Sequence, residues 1–120
     1  MVKMSAADRE IFEQSIYLPM VLSVLEYDRK VTEKTPFKLR IIYLNLIEHT
    51  MKLVQRDLKL IKDNMRLNKM KTVKGKNDGI FTKYEFYYKG YHEVHRYWNA
   101  NLRNNTEKLL RAYFIEYKNN

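Results

Sequence analysis

Two histidines three positions apart come nearest, by type and spacing, to a metal site. His92 and His95 flank Glu93, and on a helix both imidazoles would lie on one side. A third ligand would have to come from Glu48 or His49. Zinc proteases place their two histidines four positions apart with Glu directly after the first, and here the spacing is one residue shorter. We therefore predict no metal site at these positions.

Other catalytic patterns are missing from the sequence. The chain has three glycines, and none forms a phosphate-binding loop. Its serines lack a nucleophile-elbow context, and without cysteine there is no thiolate nucleophile or ligand. The sequence therefore predicts a non-enzymatic protein with no cofactor and no small-molecule substrate.

A run of cations is the strongest indication of a partner. Between positions 52 and 76 the chain has nine lysines and arginines but only two acids, Asp57 and Asp63. We call these nine cations the basic stretch: Lys52, Arg56, Lys59, Lys62, Arg66, Lys69, Lys71, Lys74 and Lys76. The first six have helical spacing, and the last three continue into a predicted loop. The pattern predicts a face that binds nucleic acid or another acidic partner, mainly through phosphates; a face that is merely solvated is the alternative.

The charge is unevenly distributed along the chain. The formal net charge is +9, and the first fifty residues are neutral, so the excess lies entirely in the remainder. This asymmetry favours a directed acidic partner over general solubility.

Aromatic residues are concentrated just before the C-terminal segment. Eight of the sixteen aromatic residues lie between Phe81 and Trp98, interleaved with cations. Helical spacing assigns four of them to the core: Tyr84, Tyr87, Tyr91 and Trp98. It leaves a group of ring-bearing residues exposed as candidates for contact with a partner: Tyr88, His92 and Tyr97.

The element predicted to position the basic stretch is a helix over residues 36–70. Thr35 is a suitable N-cap, and Pro36 suits the first helical position. One apolar row repeats every seven residues: Leu39, Leu46, Leu53, Leu60 and Leu67. A second row lies beside it: Leu44, Ile47, Met51, Val54, Leu58, Ile61 and Met65. We expect both rows to be buried, with the cations on the opposite side.

Further elements are predicted on both sides of this helix. A capping pattern at Ser5 starts an N-terminal helix, which Pro19 either kinks or breaks. Residues 71–81 are predicted to form a loop, followed by a helix over 83–117. Alternating residues leave a different possibility open, in which 80–88 is a strand paired with 69–74.

These observations predict an all-α fold in one domain, residues 1–120. It would be a bundle of three or four helices built on an antiparallel hairpin of 36–70 and 83–117. The alternative function is a protein–protein adaptor or inhibitor, with a possible homodimer formed through apolar helix faces. The longest apolar run is too short to span a bilayer, so we expect no membrane partner. The chain has no cysteine, which is compatible with a reducing compartment, and we expect a cytoplasmic location. Amino acids with AT-rich codons are common, which is typical of a low-GC bacterium, a phage or a mobile element.

Overall fold

The described residues form three helices and an antiparallel sheet, so the all-α prediction was wrong. The computed structural model describes residues 4–119, and side chains of residues 4–115. Its elements in chain order are α1 Ala6–Lys34, α2 Arg40–Leu67, β1 Lys71–Asn77, β2 Phe81–Tyr88, β3 Tyr91–Trp98 and α3 Asn99–Asn119.

Helix α1 begins where the sequence indicates. The Ser5 hydroxyl accepts a hydrogen bond from the Asp8 amide at 3.0 Å, as an N-cap should. The helix is continuous through Pro19, which excludes the predicted alternative of a break. It ends at Lys34, and Thr35 is its C-cap and not the N-cap of the next helix. The prediction at Thr35 was wrong because its hydroxyl instead donates to a carbonyl of α1, at Val31.

Helix α2 is unbroken over the central part of the predicted 36–70 range. The second apolar row faces the core, where its buried members are Ile47, Met51, Val54 and Met65. Most leucines of the first row, which repeat every seven residues, do not face the core. Leu53 is buried, but Leu39, Leu60 and Leu67 are 59%, 63% and 79% exposed. The leucine prediction was wrong because α1 and α3 cover only one of the two rows.

The segment predicted to begin the last helix forms strands instead, and these strands are connected by tight turns. Between β1 and β2, the Asp78 carboxylate accepts hydrogen bonds from the amides of Ile80 and Phe81. Between β2 and β3, Lys89 and Gly90 have φ of 47° and 78°, which suits a two-residue hairpin turn. The predicted helix over 83–117 therefore begins only at Asn99. The alternative strand over 80–88 is the one that the structure shows.

The sheet packs one face against the helices. Strand order is β1-β2-β3, and the even-numbered residues of β2 are buried. The Phe86 ring stacks on the Phe12 ring of α1, with centroids 4.5 Å apart and planes 14° apart. Tyr88 meets the edge of the same Phe12 ring, and Leu102 of α3 completes this core.

A second core lies between the helices. Its buried members are Leu18, Val21, Leu25, Ile47, Met51, Leu53, Val54 and Tyr113. The long antiparallel hairpin therefore joins α1 to α2, and not 36–70 to 83–117 as predicted. No helix within the described residues is both long and apolar enough to span a bilayer.

Candidate nucleic-acid interface

All nine cations of the basic stretch are exposed. Six of them lie on α2 or just after its end, spaced so that they share its outer side. Lys52 and Arg66 are fourteen positions apart, so these charges extend over about 21 Å at 1.5 Å per residue. A row of this length can contact several phosphates of one strand.

Few of these charges are neutralised within the protein. Arg56 lies 3.0 Å from Asp57, and Arg66 lies 3.4 Å from Asp63. Among residues 4–115, no ion pair involves any of the seven lysines of the basic stretch. Their ammonium groups therefore remain available to an external anion.

An open groove runs along the outer side of α2, with a volume of about 460 Å³. The residues that line it are Gln55, Leu58, Lys59, Lys62, Asp63 and Arg66. Three cations and one acid make it electropositive, and its open shape suits a chain-like polyanion better than a small enclosed ligand.

The last three cations of the basic stretch lie on β1, so the prediction of a loop over residues 71–81 was wrong. Lys71 pairs with Tyr87 of β2 in register, and Lys74 pairs with Tyr84. Lys74 lines a groove between β1 and α1, whereas Lys76 lies beside Lys83, in a recess on the opposite side of the sheet. The structure therefore divides the basic stretch among three surfaces: the outer side of α2, the groove between β1 and α1, and the side of the sheet that faces away from the helices.

Two of the three predicted aromatic contacts are unavailable. Tyr88 is buried, and Tyr97 is half-buried with its hydroxyl donating to Glu13 of α1. Burial raises the pKa of Tyr97 above its ordinary value, and the nearby Glu13 carboxylate adds to this effect. The prediction was wrong for Tyr88 and Tyr97 because strand alternation turns them toward the helices. His92 is exposed.

Tyr88 belongs to a polar cluster at the margin of the core. Its hydroxyl donates to Glu93, whose other carboxylate oxygen lies 3.1 Å from Nε2 of His95. The bond to Glu93 raises the pKa of Tyr88 to about 12. The same bond, together with His95, holds the pKa of Glu93 below its ordinary value. Because these groups satisfy one another, the cluster stabilises the junction of β2 and β3.

The two histidines lie on opposite faces of the sheet. An interval of three positions on β3 points His92 away from the helices and His95 toward them. His92 lies 3.3 Å from Glu85, and His95 contacts Glu93. Within the described part of the chain, no cluster of three or more potential ligands could hold a metal ion.

The side of the sheet that faces away from the helices forms a surface that helical spacing did not predict. We call it the outer sheet face, formed on β2 and β3 by Phe81, Lys83, Glu85, Tyr87, His92, Val94, Arg96 and Trp98. Tyr87 and Trp98 are 38% and 53% exposed, although helical spacing had assigned them to the core. The signal that could have found them is the alternation over residues 80–88.

Comparisons with known proteins identify one family. The model of the family described as YhjD protein matches residues 3–118. The chain is also 32% identical over 106 residues to a Bacillus subtilis (strain 168) protein with the printed name "Uncharacterized protein YhjD", and the match covers 88% of each chain. No solved structure matches the chain.

Proposed function

The chain belongs to the YhjD protein family, and we propose that it is a non-enzymatic protein that binds nucleic acid through its basic stretch. The observation that carries this proposal is the set of seven exposed lysines that form no ion pair with any of residues 4–115. Phosphate groups would supply the missing counter-charge.

The arrangement of charges favours an extended polyanion. The α2 cations follow one side of the helix, and the groove lined by Lys59 and Lys62 is open to solvent. Lysine and arginine contacts to phosphate position a strand without reading its sequence. We therefore expect weak sequence preference and strong salt dependence.

The salt dependence has a calculable upper limit. If all nine cations contact phosphates, log Kobs should fall with log[salt] at a slope of about −6 for a single strand, or about −8 for a duplex. If the measured slope is smaller in magnitude, its value gives the number of cations that contact phosphates.

The first experiment reverses charge on the outer side of α2. We expect the combined change of Lys59, Lys62, Arg66 and Lys69 to Glu to abolish binding of a labelled oligonucleotide, measured by fluorescence anisotropy. The wild type should bind at about 50 mM salt and lose most of its affinity by about 200 mM. Circular dichroism should remain unchanged, since these side chains are exposed.

A matched control separates position from net charge. Four other exposed cations are changed to Glu in the control variant: Lys30, Lys34, Lys38 and Arg103. Both variants lose the same amount of positive charge, but only the first alters the basic stretch. Equal loss of affinity in the two variants, or a wild type that ignores nucleic acid at low salt, would refute the proposal.

Self-association is a second candidate function, supported by an exposed apolar surface. We call it the apolar tip, which lies where α1 connects to α2 and consists of Phe37, Leu39, Ile41, Ile42 and Tyr43. Each of these side chains is at least 51% exposed. Contiguous apolar surface of this kind is typical of sites that contact another protein.

We propose that the protein is cytoplasmic. This proposal is supported by the lack of cysteine in the chain, which suits a reducing compartment, and by the affinity that its cations would have for cellular nucleic acid.

A further inference from the structure

We infer that the outer sheet face binds an unpaired nucleic-acid strand, with bases stacked on its aromatic rings and phosphates held by its cations. The inference rests on the proposed nucleic-acid binding, adds the outer sheet face to the surface that the basic stretch provides, and specifies a single strand in preference to a duplex.

The register of β2 and β3 groups the relevant side chains. Phe81 pairs with Trp98 at one end of the face, and Tyr87 pairs with His92 at the other. Lys83 and Arg96 form a cross-strand pair between them. Glu85 pairs with Val94 in the remaining position. Aromatic rings therefore occupy both ends of the face, with two cations and one carboxylate between them.

The spacing of these rings suits several nucleotides. Phe81 and Tyr87 are six positions apart on β2, which corresponds to about 20 Å at 3.4 Å per residue. Proteins that bind single strands combine stacking rings with a cationic path and cover at least about four nucleotides. The outer sheet face has both features over a comparable length.

The rings of Tyr87, His92 and Trp98 are exposed, whereas the Phe81 ring is partly buried and contacts the Arg96 guanidinium. The Tyr87 and His92 rings are stacked, with centroids 4.5 Å apart and planes 13° apart. The His92 side chain is 43% exposed, and Trp98 is 53% exposed. A base that stacks on rings already held in place loses less affinity to side-chain ordering.

A recess of about 140 Å³ supplies a site for phosphate beside the Phe81 ring. It is lined by Lys76, Lys83 and Arg96, with Asp78 as the one acid. The Arg96 guanidinium lies 4.4 Å from the centre of the Phe81 ring and 3.9 Å from the Asp78 carboxylate. Three cations against one carboxylate leave the recess positive.

Gly75 of β1 lies close to the backbone of Lys83 on the neighbouring strand. A Cβ atom at Gly75 would lie 3.3 Å from the Lys83 carbonyl oxygen, which is a tight contact, and 3.5 Å from the Lys83 side chain, which is an ordinary van der Waals distance.

The chemistry of this face favours a single strand over the alternatives. A ring on a sheet surface can stack on a base only if the base is unpaired. A second copy of the chain is disfavoured because its own Lys83 and Arg96 would be brought against these cations.

The sole tryptophan, Trp98, makes the inference directly testable. We expect an unlabelled thymidine oligonucleotide to quench Trp98 fluorescence, and the corresponding adenine–thymine duplex to bind more weakly and quench less. Tyr87→Ala should weaken single-strand binding by about 5- to 150-fold, the range for loss of one stacked base. Tyr87→Phe, which retains the ring, should bind as the wild type does.

The outcomes separate this inference from the proposed function. Salt-sensitive binding that leaves Trp98 emission unchanged and is unaffected by Tyr87→Ala would overturn the inference alone. A wild type that binds no nucleic acid would overturn both. Trp98 emission that changes with protein concentration, without nucleic acid, would identify a contact between copies and also overturn it. Ile80→Ala, at an exposed turn position, is the matched control, and circular dichroism checks the fold of each variant.

Discussion

The stacked pair Phe12 and Phe86 gives the sharpest test of how the sheet is held to the helices. Phe86 is 0% exposed, and its ring lies 4.5 Å from Phe12 and 4.7 Å from His95. Phe86→Ala removes a large ring from a closed site, so it should lower the free energy of unfolding by about 3 to 5 kcal/mol. A chain of this length has a total stability of about 6 to 18 kcal/mol, so the loss would be substantial.

A double-mutant cycle isolates the contact itself. Phe12→Leu and Phe86→Leu keep an apolar side chain of smaller volume but remove the aromatic pair, and their coupling should be about 0.5 to 1.5 kcal/mol. The assay is urea unfolding followed by circular dichroism. Ile80→Ala, at a side chain 60% exposed, is the control and should change stability by less than about 0.5 kcal/mol. A loss below about 1 kcal/mol for Phe86→Ala, or additive effects of the two Leu variants, would refute the packing described above.

Two further predictions concern association and pH. If the apolar tip binds a second copy, the wild type should sediment as a dimer and the double variant Ile41→Glu, Ile42→Glu as a monomer; a monomeric wild type would exclude this role. The pKa of Glu93 is held below its ordinary value of 4.5, chiefly by the hydrogen bond from Tyr88. The ionised Glu93 carboxylate therefore stabilises the folded state above pH 4.5, and this stabilisation is lost as the pH falls through the lowered pKa. Glu93→Gln should therefore be less stable than the wild type at pH 7, and the difference in urea unfolding should narrow at acidic pH; a constant difference would contradict the assignment.

The sequence was sufficient to predict α2 but not its orientation. Apolar residues at helical spacing and the lack of glycine and proline between 40 and 67 indicate a long helix. Helix α2 has two apolar rows, and the packing of α1 and α3 determines which of the two rows is buried. Leu60 and Leu67 therefore remain exposed despite a regular seven-residue repeat.

The strands were harder to predict because two periodicities coexist in one segment. Tyr84, Phe86 and Tyr88 alternate as in a strand, while Tyr84, Tyr87 and Tyr91 also fit a helix. The contact that favours the strand is Phe86 on Phe12, which are far apart in the chain, so local pattern could not reveal it.

The candidate site was partly accessible from sequence. The cations of the basic stretch follow from composition and spacing alone. The outer sheet face does not, because it needs the register that places Lys83 opposite Arg96 and Tyr87 opposite His92.

The lysines of β1 have a consequence for solubility. Strand β1 is at an edge of the sheet, where backbone amide and carbonyl groups can pair with a strand of another molecule. Lys71, Lys74 and Lys76 place like charges along that edge, so two copies approaching through it would repel each other. The same three side chains would thus discourage fibril-like stacking of folded molecules, and a bound polyanion that neutralised them would weaken this protection.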